Sequence, residues 1–338
     1  MDSTIYGLDL AKRVMQLHWV DMGTGEIHRK QLRRRALLEF FANRGPGIVA
    51  MEACGSAHYW ARELRKLGHE VRLITAQFVR PFVKTNKTDA AAIWEAVQRP
   101  DMRFVAVKSV DQQSVLALHR MREQMVKIRT MQINAIRGLL YEFGADIPQG
   151  RQKGEKTIPQ VLEQLEDQIS KMTLDAMRGQ LERLKALDRD IADIEKSLAL
   201  WEKDQEAVSR LMAIPGVGLL AAMAIVATVG DMKAFRSGRE FASFLGLALA
   251  RVARVAGSGL GISKRGDTYL RSLLTHGARA VVNCQIRNRN PWIDRLLSRR
   301  PHNVAVVALA NKMARTIWAL LAKERTYDPR YQGIMMAA

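Results

Sequence analysis

Short apolar runs and amphipathic segments alternate over the first hundred residues of the chain. The apolar runs have strand length and lie near residues 5–10, 14–20, 47–52, 71–74 and 103–107. Segments with the three-and-four spacing of a helix lie between them, at 36–43, 57–67 and 89–98. This alternation predicts an α/β domain over residues 1–108, with its functional residues where strands end.

The remainder of the chain is predicted to be helical. Residues 111–143 contain no proline, and a second helical stretch follows at 158–201. Pro148 and the glycines around it indicate a linker over residues 144–154. The second stretch carries an apolar seam, formed by Leu184, Leu187, Ile191, Ile194, Leu198 and Trp201. Such a seam predicts pairing with another helix, either antiparallel within the chain or in a second copy.

These patterns divide the rest of the chain into three parts. We predict a helical, coiled-coil region at 109–205, a mainly α-helical C-terminal domain at 206–325 and a tail at 326–338. The two longest apolar runs do not suggest a membrane span. The run at 219–229 is too short, and the run that begins at Val304 is interrupted by Lys312 and Arg315.

The charge balance indicates the class of partner. Among 338 residues, 53 Lys and Arg face 34 Asp and Glu, which gives a net charge of +19 and a pI near 10.3. Such an excess favours a polyanion, above all nucleic acid, because neutralising phosphates releases counterions. The charge is silent on chemistry, since a ribosomal-type protein would share it.

The cysteines and the N-terminus suggest a compartment. Cys54 and Cys284 are far apart and form no Cys-x-x-Cys pair, and the seven histidines lack ligand spacing. We therefore expect a reducing cytosol and no zinc site. The first residues do not resemble a signal peptide, so the prediction is a cytoplasmic protein with no membrane segment.

Three acids stand at the ends of predicted elements. Asp9 ends the first apolar run, Glu52 ends the third, and Asp89 begins a helix. Asp9 alone would be interpreted as an ordinary strand-end residue that makes a turn hydrogen bond. The repetition instead favours three carboxylates that converge on divalent metal. Because Mg²⁺ prefers oxygen ligands, it is the expected ion.

Basic residues accompany these acids. Lys12 follows Asp9, and three more cations precede Asp89, namely Arg80, Lys84 and Lys87. Cations beside an acid cluster suit a site that holds phosphate and metal together. A solvated basic loop would have the same composition, so both interpretations stay open.

Two further segments of the C-terminal half could contact phosphate. Pro215-Gly216-Val217-Gly218 lies between two helical segments and resembles the turn of a helix-hairpin-helix element, in which glycines let backbone N–H groups approach a phosphate. The alternative is a glycine turn between two buried helices. Lys264 and Arg265 lie in a glycine-rich loop, which is predicted to be flexible and able to hold phosphate.

Six segments together resemble a known family. They are Gly-Leu-Asp-Leu-Ala-Lys at 7–12, Met-Glu-Ala-Cys-Gly-Ser at 51–56, Val-Arg-Pro-Phe-Val-Lys-Thr-Asn-Lys-Thr-Asp at 79–89, Glu-Ala-Val-Gln-Arg-Pro at 95–100, Ile-Pro-Gly-Val-Gly at 214–218 and Ile-Ser-Lys-Arg-Gly-Asp-Thr-Tyr-Leu-Arg at 262–271. Over nearly the whole chain, this set is similar to the Piv-like DEDD transposases of bacterial insertion sequences, in family one-ten and its one-eleven-eleven subgroup.

The resemblance implies a fold and an activity. It implies a RuvC-like (RNase H-like) nuclease domain, a helical coiled-coil middle and a C-terminal transposase domain that supplies a serine. The family recombines DNA under the direction of a guide non-coding RNA. By position, Asp9 and Glu52 are the first two acids and Asp89 belongs to the last pair. Strand exchange also implies a homo-oligomer, either a dimer or a tetramer.

Two departures from the family pattern leave the activity open. The family writes its last pair as Asp-x-x-Asp, whereas Ala90, Ala91 and Ala92 follow Asp89, and Glu95 lies too far along the helix. A Ser-Ser-Gly-Gly-Lys segment is also replaced, and Ser258 is the one serine between 248 and 259. Ser258 is therefore the candidate nucleophile, out of the family register. A DNA-binding relic without turnover and a RuvC-like junction resolvase without serine chemistry are the alternatives.

Overall fold

A computed structural model describes residues 3–83, 89–202, 205–248, 261–284 and 291–328. The chain forms two compact units. Unit 1 comprises residues 1–110 together with 229–234, and unit 2 comprises 111–228 together with 235–338. Unit 1 is a mixed α/β structure, whereas unit 2 is helical in its described residues.

Unit 1 is built on one six-stranded sheet. Its strands are β1 Ile5–Asp9, β2 Val14–Val20, β3 Ile27–Arg33, β4 Ile48–Glu52, β5 Glu70–Ile74 and β6 Phe104–Val105. Their order across the sheet is β3-β2-β1-β4-β5-β6. Strands β1, β4 and β5 are parallel to one another. β2 pairs antiparallel with β1, β3 with β2, and β6 with β5. The five strands predicted from the apolar runs are confirmed.

Strand β3 was missed by the sequence prediction. It lies at the edge of the sheet and only Leu32 is buried, so its sequence lacks the alternation of a half-buried strand. Register with β2 positions it, since Met15 pairs with Leu32 and Leu17 with Lys30. An edge strand rich in charge is a common way to prevent pairing with another chain.

Helices cover both faces of this sheet. They are α1 Leu37–Ala42, α2 Ala57–Lys66, α3 Ala76–Val79 and α4 Asp89–Val97, with short 3₁₀ turns at Arg34–Ala36 and Arg80–Phe82. One face buries Leu8 and Leu17 against Phe41 of α1 and Leu64 of α2. The opposite face packs Ala50 and Ile74 against the buried stripe of α4. The acids at the strand ends therefore lie within a layered α/β unit.

Unit 2 consists of the remaining helices. They are α5 Val110–Tyr141, α6 Arg151–Gln164, α7 Lys171–Glu202, α8 Glu206–Met212, α9 Leu219–Val229, α10 Gly238–Phe244, α11 Thr268–Asn283, α12 Pro291–Leu297 and α13 His302–Ala322. The predicted linker is wrong in its last part, because α6 begins at Arg151 and buries Gly154 against Ile133. The stretch at 158–201 is also two helices, because the chain leaves the helix between α6 and α7.

The apolar seam of α7 packs within the chain. Arg122 of α5 is 2.6 Å from Glu195 of α7, and Arg129 of α5 is 2.5 Å from Asp188 of α7. Because the partner numbers fall as the α5 numbers rise, the two helices run antiparallel. Leu184, Ile191 and Leu198 are the fully buried members of the seam. Of the two alternatives, the structure therefore shows antiparallel pairing inside one chain.

Helix α13 is the centre of the C-terminal helices. It packs against α8, α10, α11 and α12, and it buries Ala310, Met313 and Ile317. Its length and composition alone would allow it to cross a membrane, despite the two cations that interrupt it. Four helices of the described part of the chain pack against it, and its buried residues account for part of this apolar composition.

Candidate metal and nucleic-acid site

Two of the predicted acids lie side by side on the sheet. Strands β1 and β4 are parallel with Leu8 opposite Met51, so the next residue of each strand brings Asp9 beside Glu52. Neighbouring strands are about 4.8 Å apart, and residues at the same register position point to the same face. Both carboxylates therefore stand at the carboxyl end of the parallel strands, on the face covered by α4.

A glycine lets the third acid approach this pair. Gly7 lies two residues before Asp9 and therefore on the same face. A Cβ on Gly7 would collide with the carbonyl oxygen of Ala90 and would lie 2.8 Å from the Cβ of Trp94. Helix α4 thus rests on the bare backbone of β1. Asp89 is the first residue of this helix and is brought to the end of the sheet that carries the other two acids.

The three carboxylates influence one another electrostatically. Burial raises the pKa of Asp9, and the charge of Asp89 raises it further. Burial is also the largest cause of the raised pKa of Glu52, followed by the charges of Asp89 and Asp9. The positive charge of Arg80 acts in the opposite direction on the Glu52 pKa. A carboxyl pKa that is raised by burial and by neighbouring negative charges is typical of acids in a functional site.

The acids do not form a closed ligand cage. In the described part of the chain, no three His, Cys, Asp or Glu side chains stand close enough together to hold a metal ion as positioned. Asp9 and Glu52 nevertheless lie side by side on neighbouring strands, and Asp89 is close enough for its charge to raise the pKa of both, so the three acids are neighbours without forming a cage.

The second acid of the expected Asp-x-x-Asp pair has no substitute on α4. The position one helical turn after Asp89 is Ala92, which is fully buried with Ile93 against the sheet. Glu95 lies about 9 Å farther along the helix axis than Asp89, at a rise of about 1.5 Å per residue. It also forms an ion pair with Arg99 at 3.5 Å. The structure therefore supports the departure seen in the sequence.

Two residues near Glu52, Thr75 and Cys54, were not selected as site residues in the sequence analysis. Thr75 follows β5, whose last residue Ile74 is opposite Glu52, and its buried hydroxyl has no hydrogen-bond partner in the part of the chain that the structure describes. Cys54 has a pKa raised first by burial and then by the charge of Glu52. A threonine or a cysteine after a strand is ordinary in sequence. Strand pairing places Thr75 directly after the residue opposite Glu52, and the charge of Glu52 reaches Cys54.

The predicted phosphate contacts of unit 1 differ in their surroundings. Lys12 is exposed in the turn after β1, and Arg80 is close enough to Glu52 to influence its pKa. Lys84 and Lys87 lie outside the described residues, as does Ser258 of the C-terminal half. Their roles remain predictions.

In the glycine turn before α9, one of the two glycines is required for close packing. Gly216 has a φ of +86°, and a Cβ there would lie 2.8 Å from the carbonyl oxygen of Gly277 in α11. Its backbone therefore faces a buried helix, as the alternative interpretation of this turn expected. Gly218 is exposed, and its carbonyl accepts a hydrogen bond from Ala222 in the first turn of α9.

The described part of the basic loop before α11 is hydrogen-bonded to the end of the preceding segment. The N–H groups of Ser263 and Lys264 donate to the carbonyls of Ala248 and Gly246 at 2.9 and 3.2 Å. The predicted flexibility of this loop stays a prediction. The side chains of Lys264 and Arg265 remain exposed, where they could meet phosphate.

Comparison with known proteins identifies the family. A DEDD transposase model of the IS110 type matches residues 6–144, and a model described as the transposase IS116/IS110/IS902 family matches residues 208–293. A "Probable family 20 transposase" of Pseudomonas aeruginosa is 46% identical over 97% of this chain and 100% of its own length. The chain belongs to the IS110-type transposases of insertion sequences. The resemblance found in the sequence is confirmed.

Other relatives of this transposase agree along its length. The transposase for insertion sequence element IS1111A of Coxiella burnetii is 40% identical over 96% of this chain and 92% of the relative. The transposase for insertion sequence element IS1328 of Yersinia enterocolitica is 37% identical over 96% and 98%. Membership places the chain among proteins that bind DNA and act in its transposition, and DEDD transposases typically use a divalent metal.

Proposed function

We propose that this transposase cuts and exchanges DNA strands at the carboxyl end of β1 and β4, where Asp9, Glu52 and Asp89 bind Mg²⁺. The observation that carries the proposal is the position of Asp9 beside Glu52 at the ends of paired strands, with Asp89 of α4 close enough for its charge to raise the pKa of both. Acids from three separate elements are held together at a cost, and a bound cation would relieve it.

The residues present suit a hard divalent cation. All three side chains offer carboxylate oxygens, which Mg²⁺ prefers, and the exposed end of the sheet leaves room for water and phosphate ligands. When bound, the metal would stabilise charge on the attacking and leaving oxygens of a phosphodiester. Asp9 and Glu52 would hold it from the sheet and Asp89 from α4. Arg80 would attract the phosphate to the same place.

Several finer features belong to the same proposal. The strand order and the helices on both faces support a RuvC-like (RNase H-like) fold for residues 1–108, followed by a coiled-coil region at 109–205 and a transposase domain at 206–325. The family resemblance implies a guide RNA beside the DNA, and the net charge of +19 is compatible with binding two polyanions. We further propose a homo-oligomer, since exchange requires two DNA ends, and a cytoplasmic location.

The test is DNA strand cleavage in the presence of Mg²⁺ and RNA transcribed from the element. Asp9→Asn and Glu52→Gln should each abolish cleavage, because each removes a charged ligand. Glu39→Gln is the matched control, since Glu39 is an exposed acid of the same unit on α1. Cleavage by the Asp9→Asn variant at the parent rate would show that the acids do not hold the metal.

A second function is favoured by a specific observation. Ala92 occupies the buried position where the family pattern expects an acid, so the chain could bind nucleic acid without turning it over. This alternative predicts salt-sensitive binding and no Mg²⁺-dependent product from the parent protein. A junction resolvase is distinguished by Ser258→Ala, which would leave its cleavage intact while Glu52→Gln removes it.

A further inference from the structure

The face of the sheet that carries Asp9 continues to an exposed edge. Asp9 pairs with Gln16 of β2, and Gln16 pairs with Gln31 of β3, so the three side chains form one row across the sheet. Side chains alternate along a strand, which puts Arg29 and Arg33 on the same face as Gln31. A polar row thus leads from the acids to two arginines on β3.

This edge is open to solvent. Helix α4 packs against β1, β2 and β4, where Gly7 and His18 are covered. Arg29, Gln31 and Arg33 are exposed. We call these three residues the β3 shelf. The β3 shelf is therefore the exposed part of the sheet face that α4 covers elsewhere.

The charge of the β3 shelf is uncompensated. Among the described residues, neither Arg29 nor Arg33 has an ion-pair partner, whereas arginines such as Arg129 in unit 2 pair with acids. No acid occurs between residues 27 and 38. The β1–β2 turn adds Arg13, whose carbonyl accepts a hydrogen bond from the N–H of Arg34 at 3.2 Å. Unpaired arginines suit phosphate, because the guanidinium fork matches its oxygens.

We propose that the β3 shelf binds the phosphate backbone of the DNA strand that reaches Asp9. The inference rests on the proposed function for the direction of the strand. β3 lies two strands from β1, or about 10 Å at the usual spacing. At this distance the shelf would hold a phosphate of the same DNA strand within a few nucleotides of the cleaved bond. The side-chain amides of Gln16 and Gln31 provide neutral donors between the two places.

DNA is the assigned occupant because the polar row is continuous with the acids, and the substrate of a transposase at such acids is a DNA phosphodiester. The probe is a DNA duplex of random sequence, bound without divalent metal so that no cleavage occurs. Its affinity is measured over a range of salt concentrations for the parent and for the Arg29→Gln/Arg33→Gln variant. Loss of two phosphate contacts should reduce the slope of log affinity against log salt by about 1.8.

A matched control removes the same charge from the other side of unit 1. Lys30 lies on the opposite face of β3, 5.2 Å from the ring centre of Phe40, and Lys66 ends α2. The Lys30→Gln/Lys66→Gln variant should keep the parent slope within about half a unit. Urea unfolding of both variants should match the parent, since all four side chains are exposed.

Two outcomes would overturn the assignment. One is an Arg29→Gln/Arg33→Gln slope equal to that of the control variant. The other is an equal or larger loss for an RNA hairpin under the same conditions, which would give the shelf to RNA. The binding measurement involves no chemistry. It can therefore succeed even if Asp9→Asn still cleaves DNA, and it can fail while the metal site is upheld.

Discussion

Replacing Gly7 by alanine should separate the third acid from the other two. The new methyl group would collide with the carbonyl oxygen of Ala90 and lie 2.8 Å from both the Cβ and the N of Trp94. Most of these atoms belong to the α4 backbone, so no side-chain rotation can relieve the contact. The helix must instead move from β1 by about 1 Å, and overpacking of this kind costs about 1–3 kcal/mol.

The consequence for activity follows from the position of Asp89 at the start of α4. A displacement of about 1 Å at a catalytic group can reduce the rate about 100-fold. The assays are urea unfolding and Mg²⁺-dependent DNA cleavage. Gly45→Ala is the control, because a Cβ on Gly45 meets nothing within 4 Å in the same unit. If Gly7→Ala unfolds and cleaves like Gly45→Ala, the packing of α4 on Gly7 does not position the acid.

Three further predictions concern charge and packing. Asp9→Asn should stabilise the metal-free protein at neutral pH, because folding raises this carboxyl pKa above 3.8. The gain should shrink as the pH falls below the raised pKa and should be lost below about 3.8, where the parent acid is protonated in both the folded and the unfolded state, and urea midpoints against pH would show this. Asp188→Ala should destabilise unit 2 by about 1–3 kcal/mol, because it removes the partner of two arginines, whereas exposed Asp193→Ala should cost less than about 0.5 kcal/mol in the same denaturant titration. Gly277→Ala should lower the melting temperature because its Cβ would strike the backbone of the turn before α9, whereas Gly138→Ala, within α5 and free of contacts, should stabilise by about 0.5–1 kcal/mol; equal melting temperatures would refute this contrast.

The strands of unit 1 were predictable because their apolar residues record burial directly. Tyr6, Leu8, Val49 and Met51 are all buried, so the runs that contain them appear in sequence as strands. β3 was not predictable, because an edge strand buries little and its seven residues include three cations. The predicted linker at 144–154 extended too far along the chain, because its last residues belong to α6. A helix can contain Gly154 when the glycine packs against another helix.

Some residues of the candidate site could also be predicted from the sequence, and others could not. Asp9, Glu52 and Asp89 could be selected from sequence since each stands where a local pattern ends. Thr75 could not, because its position near Glu52 depends on which strand lies beside β5. The sequence likewise did not decide whether Gly216 binds phosphate or allows two helices to pack closely. The close approach of α11 gives a packing reason for this glycine.

By itself, the sequence of this transposase determined most of its strands and helices, the family to which it belongs and the positive charge of the whole chain. These properties depend on neighbouring residues, on composition or on matching segments. Only the tertiary structure decided that Asp9 and Glu52 share one face of the sheet and that Asp89 of α4 lies near them. It also decided that the α7 seam pairs with α5 and that the polar row extends to the strand of Arg33. Register and helix packing join residues distant in the chain, and no local pattern encodes which of them meet.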